Sequence, residues 1–336
     1  MTTLLRTPVL VLATLTAAPA LAQGVPWYER PTCHDAVETM MGGEPAQAEA
    51  KIARLERGPD LDDMACALWA RAAWSEFQIS MYGKTPELLA GRKKALSRMF
   101  GFAKANKAKG VRFGDLELEA RLRRVRVLNE EGQRTQSLDE LKQLEKLIVE
   151  RGNADVTPAL DYAVGMLNAA LSSPGWAARA LLSVVGMSTD PAEAAKRLHA
   201  LIDGKSVYRW DASYVAQYFG GEIGTKDFRE TSAYLRPLAQ KFPKNPLFAY
   251  EMSRLAINAE RGDEAQAAIA PTLAELDKAP TSWGPPVRAR VQWAAGRAAL
   301  LRGDKAAALK RAQQAKAERV KDMDERVEDL VDDAED

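Results

Sequence analysis

The sequence is short of soft metal ligands and of any surplus charge. Among its 336 residues are two His and two Cys, and 47 Lys and Arg stand against 46 Asp and Glu, a formal charge of +1. Two His and two Cys are too few for a zinc or iron–sulfur centre of the usual kind, so no metal or other cofactor is expected. Near-neutrality supplies no global field for nucleic acid, which is not expected as a partner. Beyond the N-terminus there is no uninterrupted apolar run of the ~18 residues that mark a membrane span. Catalytic signatures are missing too: the chain has no Gly-x-Ser-x-Gly, no phosphate loop, no glycine-rich dinucleotide turn and no His-Glu-x-x-His. Cys33 lies beside His34, but the other histidine, His199, is distant, and a metal site or nucleophilic dyad needs more partners than these. A non-enzymatic protein is expected.

What is present begins with the first 22 residues. Arg6 is a positive leader, Pro8 to Ala18 is a short apolar core, and Ala20-Leu21-Ala22 is a small-x-small cleavage signal. This predicts a signal peptide over 1–22, cut between Ala22 and Gln23. Gln23, not Cys, follows the cut, so a lipoprotein is not expected and the mature protein is placed in the periplasm. Loss of Arg6 takes the 47 basic residues to 46, equal to the 46 acidic ones. In an oxidising compartment Cys33 and Cys66 are the only pair available, and a disulfide between them is expected. A loop of that length would stabilise the fold by roughly 3 to 4 kcal/mol in the chain-entropy description.

The rest of the chain reads as helix. The sequence contains 58 Ala, and Ala, Leu, Met and aromatic residues recur at spacings of three and four, with no sustained alternation of the kind a strand needs. Short turn clusters such as Gly42-Gly43, Gly58-Pro59, Gly152-Asn153, Gly220-Gly221, Gly262-Asp263 and Gly303-Asp304 cut it into helices of roughly 12 to 22 residues. Thr32, Asp60, Thr135, Asp190, Thr225 and Asn245 stand at candidate N-caps, and Pro86, Pro191 and Pro246 in first turns. Short breaks between helices make antiparallel neighbours, so a single helical domain over 23–330 is predicted, followed by an acidic disordered tail at 331–336.

Three segments share a finer pattern. Gly296 is followed by Gly303-Asp304 and then Ala308, Ala312 and Ala315; Leu255 is followed by Gly262-Asp263, Ala267 and Ala274; Ala36 is followed by Gly43-Glu44-Pro45, Ala48, Ile52 and Leu55. Small residues at these places let two helices of a hairpin cross closely. The pattern resembles the tetratricopeptide repeat and is similar to an exported bacterial member of that superfamily. The resemblance implies an all-α, right-handed α-solenoid of antiparallel helical hairpins. It also implies a concave surface, built by the first helix of each hairpin, that recognises an extended or helical peptide or a partner domain without covalent chemistry. Cys33 and Cys66 are about one repeat apart, each in the first helix of a hairpin, where a disulfide would staple the open N-terminal end.

Several surfaces are candidates for binding. Residues 91–113 carry Arg92, Lys93, Lys94, Arg98, Lys104, Lys107, Lys109 and Arg112 with no acidic residue, a basic face suited to an acidic partner or to peripheral contact with anionic lipid; the alternative is a helix whose Leu96, Met99, Phe100 and Ala103 face the core while the basic stems cover the rim. Trp210, Tyr214 and Tyr218 share one helix face with Tyr208 nearby, and either line a groove or pack on the next hairpin, whereas Trp69, Trp74 and Trp293 are expected in the core. Glu117 and Glu119, and Glu130 and Glu131, lie among Arg121, Arg123, Arg124 and Arg126 and are expected on a solvated, salt-bridged face. Residues 318–336 hold ten acidic and three basic side chains. The function expected is a periplasmic scaffold or adaptor that binds a protein or peptide partner. The alternative is an accessory protein of a periplasmic or envelope transport system, with a small apolar or anionic molecule inside the superhelix.

Overall fold

The computed structural model describes residues 24–151, 156–172, 191–219 and 228–335. The expected signal peptide and its cut at Ala22 and Gln23, the candidate caps Asp190 and Thr225, and the turn clusters Gly152-Asn153 and Gly220-Gly221 lie outside these. Every regular element among the described residues is helical. After a 3-10 turn at Trp27–Glu29 come α1 (Pro31–Met41), α2 (Pro45–Arg57), α3 (Leu61–Tyr82), α4 (Pro86–Asn106), the single turn α5 (Val111–Gly114), α6 (Leu116–Glu130), α7 (Arg134–Arg151) and α8 (Pro158–Ser172). They are followed by α9 (Pro191–Ile202), α10 (Tyr208–Phe219), α11 (Phe228–Lys241), α12 (Pro246–Asn258), α13 (Gly262–Lys278), α14 (Pro285–Leu301), α15 (Lys305–Ala317) and α16 (Asp324–Glu335).

Local chemistry explains many of the starts. The side chains of Asp60, Thr85, Asn245 and Asp304 accept hydrogen bonds from backbone amides in the first turns of α3, α4, α12 and α15, satisfying donors that have no partner within the helix. Thr32 and Thr135 are not caps; they lie inside α1 and α7, which begin at Pro31 and Arg134. Pro86 and Pro246 occupy first-turn positions as the sequence predicts.

Helices contact their sequence neighbours as hairpins: α1 with α2, α3 with α4, α6 with α7, α8 with α9, α10 with α11, α12 with α13 and α14 with α15. The first helices form an inner layer of their own, with α1 against α3, α6 against α8, α8 against α10, and α12 against α14. This is a stacked array of antiparallel hairpins, the all-α architecture that the resemblance implies. The close crossing expected at Gly296 is present: a Cβ there would lie 2.7 Å from Leu330 Cδ2 and 3.3 Å from the Ala308 carbonyl.

The N-terminal end is not open. The Tyr28 carbonyl accepts from the Val207 amide (2.8 Å), the Asn245 side chain donates to the Met41 carbonyl (2.8 Å), and Glu38 pairs with Lys241 and Arg209. Trp27 is fully buried against Trp69 and Tyr208, with ring centroids 6.1 and 5.9 Å away. Further along, α3 lies against α14, so closely that a Cβ at Gly284 would sit 2.5 Å from the Met81 carbonyl. The Cys33–Cys66 disulfide, with Cα atoms 5.8 Å apart, therefore joins α1 to α3 in a region packed on several sides rather than at a free end.

A second correction concerns the C-terminus. Residues 331–335 are not a disordered tail but the last part of α16, whose Val327, Leu330 and Ala334 are buried. Its period places the apolar residues inward, and the acidic ones cover the outside.

Candidate binding site on the inner face

Six consecutive first helices, α1, α3, α6, α8, α10 and α12, line a cavity of about 430 Å3, and each of its lining residues among the described ones belongs to one of them. Its apolar wall includes Met40, Phe77, Tyr162, Met166, Tyr214 and Phe248, and its polar groups are Glu76, Ser80, Arg123, Arg126 and Asp211. A volume of that order suits a compact organic group, and a mainly apolar wall with a few convergent polar side chains is the usual composition of a ligand site.

The polar part is organised around Arg123. Its guanidinium contacts Glu76 at 2.5 Å, Glu119 at 3.2 Å and Asp211 at 3.3 Å, joining α3, α6 and α10. Arg126 stands at the edge, 3.1 Å from Glu130 and 3.9 Å from Glu76, with its side chain 61 % exposed. Glu130 is shared with Arg92 at 3.0 Å, and Glu251, paired with Arg254 at 2.6 Å, accepts from the Tyr214 hydroxyl. Burial alone opposes the charge on Arg123, yet Glu76, Glu119 and Asp211 outweigh it and hold the guanidinium protonated far above its ordinary value. Burial pushes the Glu119 carboxyl up to about 7, with Arg123 pulling it down and Asp211 adding to the rise. Asp211 is raised by burial against the pull of Arg123, and burial lifts the Tyr162 hydroxyl well above its ordinary range.

No protein-family profile matches the chain, and no curated protein does. A solved structure is similar to it: the crystal structure of a tetratricopeptide repeat protein from Parabacteroides merdae ATCC 43184, with a TM-score of 0.40 and 16 % sequence identity over 92 % of this chain and 99 % of that one.

The residues singled out from sequence are distributed differently from expectation. Tyr214 lines the cavity, but Trp210 does not: it is buried between hairpins, edge-on to Phe242 at 5.4 Å and covered by Arg209 and Lys241 at 4.1 and 4.6 Å from its ring centre. The side chain of Tyr218 lies outside the described ones. Trp69, Trp74 and Trp293 are core residues, as expected.

The basic face is smaller than its sequence. Arg92 is buried on Glu130, and Arg112 turns inward to the buried carboxylate of Asp62 at 2.6 Å. Lys93 pairs with Glu131 at 2.8 Å and Arg98 with Glu56 at 2.7 Å. Lys94, Lys104, Lys107 and Lys109 remain exposed, while Leu96, Met99 and Ala103 are buried beneath them. That is the rim arrangement named as the alternative.

The expectation of a solvated acidic face also divides. Glu117 pairs with Arg121 at 2.7 Å on the outside, whereas Glu119 is fully buried because its side of α6 carries Leu116, Ala120 and Val127 into the core. The principal polar residues of the cavity, Glu76, Arg123 and Asp211, were not legible as a group. A signal did exist: Glu119 and Arg123 form an i,i+4 pair within an apolar stripe, where a charged pair must find further partners or lose the helix's packing.

Among the described residues, no helix is long and apolar enough to cross a membrane, and no cluster of three or more His, Cys, Asp or Glu is placed to hold a metal ion.

Proposed function

We propose that the protein is a non-enzymatic periplasmic binding protein whose inner face grips a compact ligand, as an accessory component of an envelope transport system would. The observation that carries this reading is the cavity itself: six first helices contribute to it, and the hydrogen bonds from Val207 to Tyr28 and from Asn245 to Met41 tie the N-terminal segment to the starts of α10 and α12 at its rim, limiting it to small-molecule size. The non-enzymatic part is supported by the state of the polar groups. Arg123 is saturated by carboxylates, and the two histidines are engaged elsewhere, His34 with the Lys205 carbonyl and His199 with Tyr234. Periplasmic placement rests on the predicted signal peptide and on the disulfide, which an oxidising compartment maintains.

A scaffold for a protein partner is the second reading, favoured by the exposed Lys94, Lys104, Lys107 and Lys109 on and just after α4, which leave an acidic partner surface room to dock. Native mass spectrometry of protein isolated directly from the periplasm tests the first reading. A retained compound of low mass, lost or diminished in a Met166→Trp variant that narrows the cavity, is the expected outcome. Protein that carries no added mass, with full binding of a partner that a charge reversal of the four lysines abolishes, would replace it with the scaffold reading.

A further inference from the structure

The groups in direct contact around the cavity do not balance. Among the described residues, the single guanidinium of Arg123 meets three carboxylates, Glu76, Glu119 and Asp211, and Arg126, 3.9 Å from Glu76, is held closer by Glu130 at 3.1 Å, which leaves carboxylate in surplus there. An uncompensated charge in a buried setting is costly, so the surplus is met by a proton or by a cation. Two of the carboxylates are held side by side at the wall. Glu76 takes one terminal nitrogen of Arg123 and Asp211 takes the other, so both are fixed in place before anything binds. One oxygen of Glu76 is buried without a hydrogen-bond partner among the described residues, which is the state of an acceptor waiting for a donor. Tyr162, 94 % buried by its 6 % exposure, borders the same space. Its hydroxyl takes part in no hydrogen bond with a described residue. Around these stand the faces and edges of Phe77, Tyr214 and Phe248, rings that favour an organic cation over a hydrated one.

We infer that this cavity takes an organic monocation carried on an apolar body, an alkylammonium or alkylguanidinium group, with Asp211 and Glu76 as its counter-ions and the Tyr162 hydroxyl as a further acceptor. This deepens the ligand-binding reading above and rests on it. It also departs from the apolar or anionic ligand expected from sequence, because the one exposed guanidinium at the rim, Arg126, already has Glu130 at 3.1 Å. The cation can arrive as a free amine or as a Lys or Arg side chain of a partner peptide; the chemistry recognised is the same.

Isothermal titration of the full mature protein with three matched probes decides the matter: hexylammonium, hexanoate and hexan-1-ol, plus a short Ala-Gly peptide bearing a single central Lys. Hexylammonium is expected to bind at least ~10-fold more tightly than either other six-carbon probe, as a charge-assisted hydrogen bond in a buried site implies. Asp211→Asn, which keeps an acceptor for Arg123, is expected to remove most of that preference at an unchanged melting temperature, and Met166→Trp, which narrows the cavity, to weaken binding of every probe. A peptide that binds as well as hexylammonium identifies the side-chain source, and one that does not identifies the free amine. Hexanoate or hexan-1-ol binding as tightly as hexylammonium overturns the cation inference while leaving a ligand cavity in place. Binding unchanged by Met166→Trp, or no binding by any probe, overturns the cavity reading as well.

Discussion

The two main cores of the molecule are built by different rules. One runs from Trp27 to Leu255 and packs large rings, Trp27, Trp69, Tyr162 and Tyr208, beside buried Asp62, Arg92, Glu119 and Arg123. The other gathers Met81, Leu247 and Tyr250 with α13 to α16, and much of its interior is Ala289, Ala294, Ala295, Ala299, Ala308, Ala312 and Ala315. Among the described residues from 262 onward, the buried polar side chains are Thr272 and Gln292, neither of them ionisable. Small residues let helix axes approach, so the second region is a close stack of helices. The first region is filled instead by large rings and buried ion pairs, and the cavity lies there, with Leu247 of the second core at its edge. Departure from the repeat rules coincides with the candidate site, as expected where local consistency is relaxed for binding.

The contrast can be broken most forcefully at Arg123. Arg123→Leu strands Glu76, Glu119 and Asp211, and is expected to cost about 3 to 5 kcal/mol in urea unfolding. Arg302→Leu removes a pair with Asp263 in the second region, between side chains 49 % and 91 % exposed, and is expected to change stability by less than about 1 kcal/mol. Equal costs would show that the two regions do not differ in the way their charges are used.

Next in size is the disulfide. Cys33→Ser with Cys66→Ser is expected to lower stability by roughly 3 to 4 kcal/mol. Amide hydrogen exchange is expected to rise first in α1 to α3, while α14 to α16 keep their protection. Uniform loss of protection would mean that the two cores unfold as one.

The smallest effect depends on pH. Glu119 titrates at about 7 in the folded chain against its ordinary 4.5, so the folded state retains a proton that the unfolded state has lost. Stability therefore falls as pH rises from 4.5 to about 7, by up to roughly 3 kcal/mol, and is level above that range. Glu119→Gln lacks this loss, and its stability relative to the parent chain is expected to grow across the same interval in melts at pH 5, 6, 7 and 8. A difference that stays constant with pH would show that Glu119 exchanges no proton with folding in this range.

Much of the second region was open to reading from the residues. Gly296, Gly303-Asp304 and Ala308, Ala312 and Ala315 mark a close helix crossing that the structure contains at those positions, because such crossings depend on local size and turn chemistry. The N-caps Asp60 and Asn245 are local in the same sense. The cavity was not, since Glu76, Arg123 and Asp211 are far apart in the chain, and no local pattern states which i,i+4 face will be turned inward. Arg92 and Arg112 show the same limit from the other side: within a run of basic residues, which ones leave the surface depends on where Glu130 and Asp62 are brought.

By itself the sequence determined an all-helical chain of short-linked hairpins and the one cysteine pair that could form, because helix period, turn chemistry and the count of thiols are local or combinatorial properties. Tertiary structure alone decided that the N-terminal hairpin closes onto α10 to α12, that Glu119 is buried and that residues 331–335 complete a helix. Each of those follows from which surfaces meet across hundreds of residues, where burial outweighs the local preference of a charged side chain for water.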